Sequence, residues 1–285
     1  MPEFTLSPAF TIAGIGAASG IALFDGGIWL VSDKSTQLYR FDTASGKTEK
    51  WPLVPGVEFL PKRHKPDFES LCLHEGKLFT FGSGSTPDRN RMAIFNPRTT
   101  HCEVSDLSDL YRRMQETAGI SAADFNIEGA CFAGGWRFFH RGNAPSGRNG
   151  MFGIDGNLWR KPEIRFTEIE LPLIGNVRST FTDACCDAGG IWFLASAEDS
   201  RSVYEDGAVL GSLIGRMDFW GRISMMKVIS ETQKFEGISM INSGETPSFM
   251  LCEDDDSEQM STTLYRLAFK KSFASSQPFT KRPHL

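Results

Sequence analysis

The sequence predicts an all-β chain, a single propeller of five blades with about four antiparallel strands each. Three observations predict it. A short phrase, an acidic or hydroxyl residue followed by a small residue, an apolar run and a Gly-rich turn, occurs five times. It reads Ser19-Gly20-Ile21-Ala22-Leu23, Glu69-Ser70-Leu71-Cys72-Leu73, Glu128-Gly129-Ala130-Cys131-Phe132, Asp183-Ala184-Cys185-Cys186-Asp187 and Glu236-Gly237-Ile238-Ser239-Met240. The starts are spaced by 50, 59, 55 and 53 residues, and a period of about 50 built from short strands is the mark of radially repeated sheets. All 285 residues are accommodated in one domain, because an all-β ring closes around one axis.

Each repeat parses as a four-stranded meander. In the first, Ile21 to Phe24 forms strand a, Asp25-Gly26-Gly27 a tight turn, Ile28 to Ser32 strand b, Leu38 to Asp42 strand c and Lys47 to Leu53 strand d. Strand b returns at Lys77–Phe81, Trp136–His140, Ile191–Ala195 and Ser248–Cys252, segments rich in aromatic and apolar strand formers. The longest interval carries Leu107, Leu110, Tyr111 and Met114 at helical spacing, with Ser105 before them and Gly119 after them, which predicts an inserted helix over residues 106–117. The last repeat has no convincing fourth strand, and Lys270-Lys271-Ser272 opens a Ser/Pro-rich tail. The segment Ala9-Phe10-Thr11-Ile12-Ala13 has no other place, so it is expected to become the outer strand of the last blade and hide an open edge.

Composition narrows the function. With 40% hydrophobic and 23% charged residues the chain is ordinary globular material. A net charge of −5 argues against a nucleic-acid partner, whose electrostatic footprint is basic. The opening Met1-Pro2-Glu3-Phe4 lacks the cationic region of an export signal, and no strongly apolar stretch reaches membrane-spanning length. The expectation is a cytoplasmic protein without a membrane partner. Cys72, Cys131 and Cys186 each follow the repeat's acidic residue by three positions. They are expected to be packed free thiols, small enough for the crowded axis, since no CxxC spacing occurs.

In an antiparallel meander the start of strand a and the end of strand b lie at one end of the blade. Glu69, Glu128, Asp183 and Glu236, with Ser19 in the first blade, therefore share a face with the b-to-c loops. These loops are Ser32-Asp33-Lys34-Ser35, residues 83–91, residues 140–149, Ser196-Ala197-Glu198-Asp199 and Glu253-Asp254-Asp255-Asp256. Converging carboxylates repel by about 3 kcal/mol per pair at ~5 Å and an effective dielectric near 20. A hard divalent cation relieves that, and Ca2+ tolerates loose, water-filled oxygen coordination better than Mg2+ does. The alternative is that the carboxylates cap backbone amides or pair with Lys65, Arg178 and Lys234, each a few residues upstream of an acidic position.

The second and third blades share a longer loop that reads Gly, polar, small, Pro, spacer, Arg-Asn, variable, Met, at residues 84–92 and 142–151. Arg89, Arg141, Asn143 and Arg148 thereby become candidates for gripping an anionic ligand, since Arg suits bidentate recognition of carboxylate or phosphate. The competing reading is that Arg and Asn brace the two loops. His140 is the best-placed general base, although it has no HxxH or HExxH partner. Gly14-Ile15-Gly16 lacks the strand-to-helix context of a dinucleotide fingerprint, so neither a nucleotide nor a flavin cofactor is expected. Ser83 and Ser85 lack the strand-turn-helix context of a hydrolase elbow. The acidic run from Glu253 reads as a solvated turn, with a second cation site as its rival.

The phrases Lys65-Pro66-Asp67-Phe68-Glu69, Asn126-Ile127-Glu128-Gly129, Lys234-Phe235-Glu236-Gly237 and Ser19-Gly20-Ile21 resemble the phytase-like or esterase-like β-propeller proteins of bacteria, in an uncharacterised branch. The resemblance implies Ca2+ near the channel and hydrolysis of a small phosphate or carboxylic ester. Five repeats and no export signal depart from the six-bladed, secreted phytases, which puts phytate in doubt. Three functions stay open: a metal-dependent hydrolase of a small anionic ester, a non-catalytic ligand-binding or scaffold propeller, and a lactonase-like or esterase-like hydrolase of a neutral substrate.

Overall fold

The computed structural model describes residues 3–143, 147–199, 207–254 and 260–270. Residues 144–146 of the third blade's long loop, Asp255 and Asp256 of the acidic turn, and the Ser/Pro-rich tail from Lys271 lie outside them. Five four-stranded antiparallel sheets form the blades, with a two-stranded ribbon, Leu173–Ile174 and Val177–Arg178, between the third and fourth, and in the first four blades the strands run in chain order from a to d. Blade 1 comprises Ala18–Phe24, Gly27–Ser32, Gln37–Asp42 and Thr48–Pro52; blade 2 comprises Phe68–His74, Lys77–Gly82, Arg91–Asn96 and His101–Asp106. Blade 3 is Ile127–Phe132, Trp136–His140, Gly150–Asp155 and Glu163–Glu168; blade 4 is Thr180–Asp187, Gly190–Asp199, Ala208–Met217 and Ile223–Ser230. Blade 5 takes Phe235–Asn242, Ser248–Glu253 and Ser261–Phe269 from the end of the chain and Phe4–Ala13 from its beginning. The expected ring closure is therefore present, with Ile12 opposite Thr262 and Phe4 opposite Phe269.

Five blades leave little room on the axis, and the sequence meets this with small residues in strand a. A Cβ added to Gly20 would lie 2.8 Å from the backbone nitrogen of Leu71 in the next blade, and one on Gly129 would lie 2.8 Å from Cα of Asp183. These side-chain-free positions let the inner strands touch. Between the blades, aromatic and aliphatic side chains interdigitate as continuous clusters. One joins Phe81, Met92, Phe138 and Phe152 between blades 2 and 3, and another joins Trp192, Phe235, Phe249 and Phe269 between blades 4 and 5.

The inserted helix spans Ser108–Ala118 and buries Leu110, Tyr111 and Met114 on the face that the spacing predicts. Its start is held by the Asp106 carboxylate, which accepts from the Ser108 amide at 2.6 Å, while Ser105 stays in the preceding strand. Gly119 ends it in the left-handed conformation, φ 64°. Tyr111 donates to the Gly82 carbonyl at 2.7 Å and fastens the helix to the end of strand b in blade 2.

Candidate functional site

Every strand a breaks its pairing with strand b near its start, and this break places one residue of each blade at the axial mouth. The register shifts fall between Ala18 and Gly20, Phe68 and Ser70, Ile127 and Gly129, Phe181 and Asp183, and Phe235 and Gly237. The bulged residues are therefore Ser19, Glu69, Glu128, Thr182 and Glu236. Asp183 does not belong to this ring. It is paired with Leu194, as Gly129 is with Phe139, and sits one residue deeper. The signal that identifies the correct phase is the apolar residue immediately before each bulge, Phe181 in blade 4. The same one-residue correction makes Cys185, rather than Cys186, the counterpart of Cys72 and Cys131. The six cysteines are free thiols.

The two hydroxyl members of the ring tie adjacent blades together. Ser19 donates to the Phe68 carbonyl at 2.5 Å, and Thr182 donates to the Phe235 carbonyl at 2.7 Å. The three glutamates have different surroundings. Glu128 Oε1 accepts from Asn126 at 2.6 Å and pairs with Arg141 at 3.4 Å. Glu236 pairs with Lys234 at 2.9 Å. Glu69 makes no hydrogen bond or ion pair with a described residue, and it is partly open to the mouth. Burial first, then the charges of Asp67, Glu128, Asp33 and Glu236, push its carboxyl well above the usual range. Of the four carboxylates that the sequence puts forward as metal ligands, only Glu69 thus has neither oxygen engaged by a described residue. Asp183 Oδ2 accepts the Ile238 amide at 2.9 Å, while its Oδ1 is buried with no partner among the described residues.

Charged residues from the neighbouring positions complete the site. Asp33, Ser83, Arg141, Ser196 and Asp254 occupy equivalent places, two residues beyond the strand-b partner of the residue that follows each bulge. Asp67, Asn126, Thr180 and Lys234 stand two residues before the bulge. Lys65 reaches Asp33 at 2.5 Å and Asp67 at 2.8 Å, and Arg89 reaches Asp67 at 2.7 Å. Across the mouth, Lys234 lies 3.4 Å from Glu198 and 3.5 Å from Asp254, and Arg141 lies 2.6 Å from Glu198. Burial raises the Glu198 carboxyl, but Arg141 and Lys234 outweigh it and hold the group low. Seven carboxylates, Asp33, Asp67, Glu69, Glu128, Glu198, Glu236 and Asp254, therefore face four cations, Lys65, Arg89, Arg141 and Lys234. Negative charge is left in excess around Asp33, Asp67 and Glu69, each of which offers one oxygen within 4.8 Å of the others.

The anion-binding candidates are mostly committed elsewhere. Arg89 is buried against Asp67 and Ser85, and it donates to the Lys62 carbonyl. Arg148 pairs with Glu168 at 2.9 Å and donates to the Ala118 carbonyl, where it caps the helix C-terminus. The two arginines do not occupy equivalent surroundings, and both brace their loops. Asn143 keeps its Oδ1 buried without a described partner, whereas Asn149 binds blade 3 to blade 4 through the Ile169 carbonyl and the Phe181 amide.

His140 is fully buried, with Nδ1 2.9 Å from the Arg148 carbonyl and Nε2 3.1 Å from the Asp124 carbonyl. This geometry corrects its reading as a general base: both nitrogens are engaged and no substrate reaches them. Burial lowers its pKa to about 4, against the two carbonyls, which favour the charged ring. Between pH 6.5 and about 4 the unfolded chain binds the extra proton, so stability is complete above 6.5 and falls as the solution is acidified. An NMR titration is expected to show the His140 ring unchanged from pH 8 to below 5.5. An ordinary midpoint near 6.5 would contradict this environment.

Comparison with known proteins then places the chain. The model of a family of unknown function, DUF6929, matches residues 14–269. The chain belongs to the DUF6929 family. No curated protein sequence matches it. Among solved structures, this DUF6929 chain is similar to an exo-1,5-α-L-arabinanase from a bovine ruminal metagenomic library, at 11% identity and TM-score 0.53 over 96% of this chain and 99% of that one. It is also similar to the glutaminyl cyclase of Myxococcus xanthus, at 12% identity and TM-score 0.52 over 93% of this chain and 97% of that one. At such identities the likeness is one of fold. Among the described residues, no helix is long and apolar enough to cross a membrane.

Proposed function

We propose that this DUF6929 propeller binds a divalent cation, with Ca2+ favoured, at the axial mouth between Asp33, Asp67 and Glu69, and that it hydrolyses a small phosphate or carboxylic ester there. The observation that carries the reading is the Asp33, Asp67 and Glu69 group itself. Its three oxygens lie within 4.8 Å of one another, which is the widest separation of two ligands each about 2.4 Å from one ion. Asp33 Oδ1 is buried without a partner and Glu69 has no donor, so both have lone pairs to offer. An all-oxygen, anionic and irregular set suits a hard ion that accepts water in its remaining positions. The phytase-like and esterase-like resemblance of the short motifs supports an ester as the substrate class.

A bound cation would supply polarisation of the ester oxygen and acidification of a water. The protein's own groups divide the remaining work. Glu69 would hold the ion together with Asp33 and Asp67, its two oxygens being engaged by no other described residue. Arg89 and Lys65 fix Asp67 in place from opposite sides. Since Arg89, Arg141 and Arg148 are committed to carboxylates, an anionic substrate is held chiefly through the ion.

A scaffold reading draws on Lys65, whose ammonium already lies between Asp33 and Asp67 and could be the permanent counter-ion. Melting curves separate the two. A hundredfold excess of Ca2+ over its Kd is expected to stabilise chelated protein by about 2.7 kcal/mol, a rise of roughly 5–10 °C for a domain of this size. Glu69→Gln should abolish the shift while folding normally, and p-nitrophenyl phosphate or p-nitrophenyl acetate should be cleaved only with the ion present. No shift with Ca2+, Mg2+ or Mn2+ would establish Lys65 as the counter-ion and remove the hydrolase reading.

A further inference from the structure

At the end of the propeller opposite the axial mouth, the seam between blades 5 and 1 forms an open groove with a volume of about 590 Å³. Its volume lies within the range of small-molecule sites. Strand register shows what is missing there. In the seam between blades 2 and 3, four rings fill the corresponding space: His74 stacks on Phe132 at 3.7 Å, and Phe79 lies 5.1 Å from Trp136. Phe79 is the partner of Cys72, and its counterpart in blade 5, the partner of Ser239, is Met250. The pair Phe132 and Trp136 corresponds to Leu23 and Ile28 in blade 1, and the end of strand a that carries His74 in blade 2 carries the bulged Ile241 in blade 5. Met250, Leu23, Ile28 and Ile241 are aliphatic or thioether side chains, and all four line the groove together with Phe10 and Phe24. Aliphatic and thioether side chains thus stand where the other seam has rings, Phe10 of the outer strand packs on them, and the opening lies over the partly exposed Leu23 and Ile241.

Two charges of opposite sign stand at its rim. Arg266, opposite Met250 in the sheet, makes no hydrogen bond or ion pair with a described residue, and neither does the Asp25 carboxylate in the a-to-b turn. In blade 2 the position of Arg266 is held by Ile94, the partner of Phe79, so the guanidinium is particular to the open seam. Next to Asp25, a Cβ on Gly26 would meet nothing within 4 Å.

We propose that this groove binds a small aromatic carboxylate, with its ring on Leu23 and Ile241 and its carboxylate on Arg266. Asp25 is placed to receive an ammonium group on the same ligand, so an aromatic α-amino acid is the fullest match. The site is independent of the axial mouth and stands or falls separately from the cation.

Calorimetric titration of the full chain with 3-phenylpropionate and with L-phenylalanine tests the inference. Both are expected to bind, with L-phenylalanine the tighter. Arg266→Gln should weaken both roughly tenfold or more, the effect of losing a charge-assisted hydrogen bond. Asp25→Asn should weaken L-phenylalanine alone. Ile241→Trp, which places a ring over the groove from a position 39% exposed, should abolish binding without lowering the melting temperature. Leu23→Phe serves the same purpose if that variant does not fold. Absence of binding at millimolar concentration, or binding indifferent to both Arg266→Gln and the filling variants, would overturn the proposal.

Discussion

Lys234→Met is expected to destabilise the protein by about 3–5 kcal/mol, the usual cost of removing one partner from a buried ionic cluster. The Lys234 side chain is 5% exposed, and its ammonium is shared by Glu236 at 2.9 Å, Glu198 at 3.4 Å and Asp254 at 3.5 Å. Methionine fills the same volume without the charge, so three carboxylates would be left with Arg141 as their remaining described counter-ion. At ~2–4 °C per kcal/mol the melting temperature should fall by roughly 10 °C. Lys227→Met is the control: that lysine pairs with Glu3 at the half-exposed surface and should change little. Adding Glu236→Gln to the first variant should recover much of the loss, since it removes the carboxylate nearest the missing ammonium. Acidification should act in the same direction. Burial pushes the Glu236 carboxyl up, so the folded state takes its proton before the unfolded chain does, and the variant should regain stability as pH falls. A Lys234→Met protein that melts with the wild type would mean that the cluster is solvated and that its charges do not control the axial mouth.

The architecture of this mouth was partly legible in the sequence. The repeat spacing set the number of blades, and the apolar content of strand b placed the inter-blade packing at residues such as Phe81, Phe138 and Phe249. The face on which Glu69, Glu128 and Glu236 gather follows from antiparallel geometry alone. What the sequence concealed was the bulge. A bulged residue leaves the two-residue alternation of a strand, so Thr182 and Asp183 compete for one position, and a preference for an acid selects the wrong one. The division of labour among the glutamates was equally hidden, because it depends on loops. Arg141 enters from the end of strand b, Glu198 from two residues beyond Ser196, and Lys234 from the link into blade 5. Lys65 and Lys234 were visible as pairing partners, but not which carboxylates they would neutralise. Glu69 is distinguished by what it lacks, and an absent partner leaves no mark in a one-dimensional pattern. Arg89 and Arg148 show the converse: two loops similar in sequence place their arginines on an interior carboxylate in one case and on a helix C-terminus in the other.

Deleting residues 1–14 is expected to cost the protein its cooperative unfolding altogether. Phe4–Ala13 supplies the outer strand of blade 5, hydrogen-bonded along Ser261–Phe269 with a single irregularity between Pro8 and Phe10. It also carries apolar surface into two inter-blade clusters, through Phe10 and Ile12 next to blade 1 and through Phe4 and Leu6 next to blade 4. Without it, Ser261–Phe269 becomes a long exposed edge ready to pair with another chain, and Leu264 and Leu267 lose their cover. The loss does not stay local, because blade 5 joins the last repeat to the first and the ring has no other closure among the described strands. Size-exclusion chromatography should show the truncated chain as aggregates, and calorimetry should show no sharp transition. A synthetic peptide of residues 1–15, added during refolding, should restore the monomer and its melting peak by filling the vacant edge in trans. A truncated chain that remains monomeric with an unchanged transition would mean that blade 5 is stable with three strands and that the first strand decorates the ring instead of closing it.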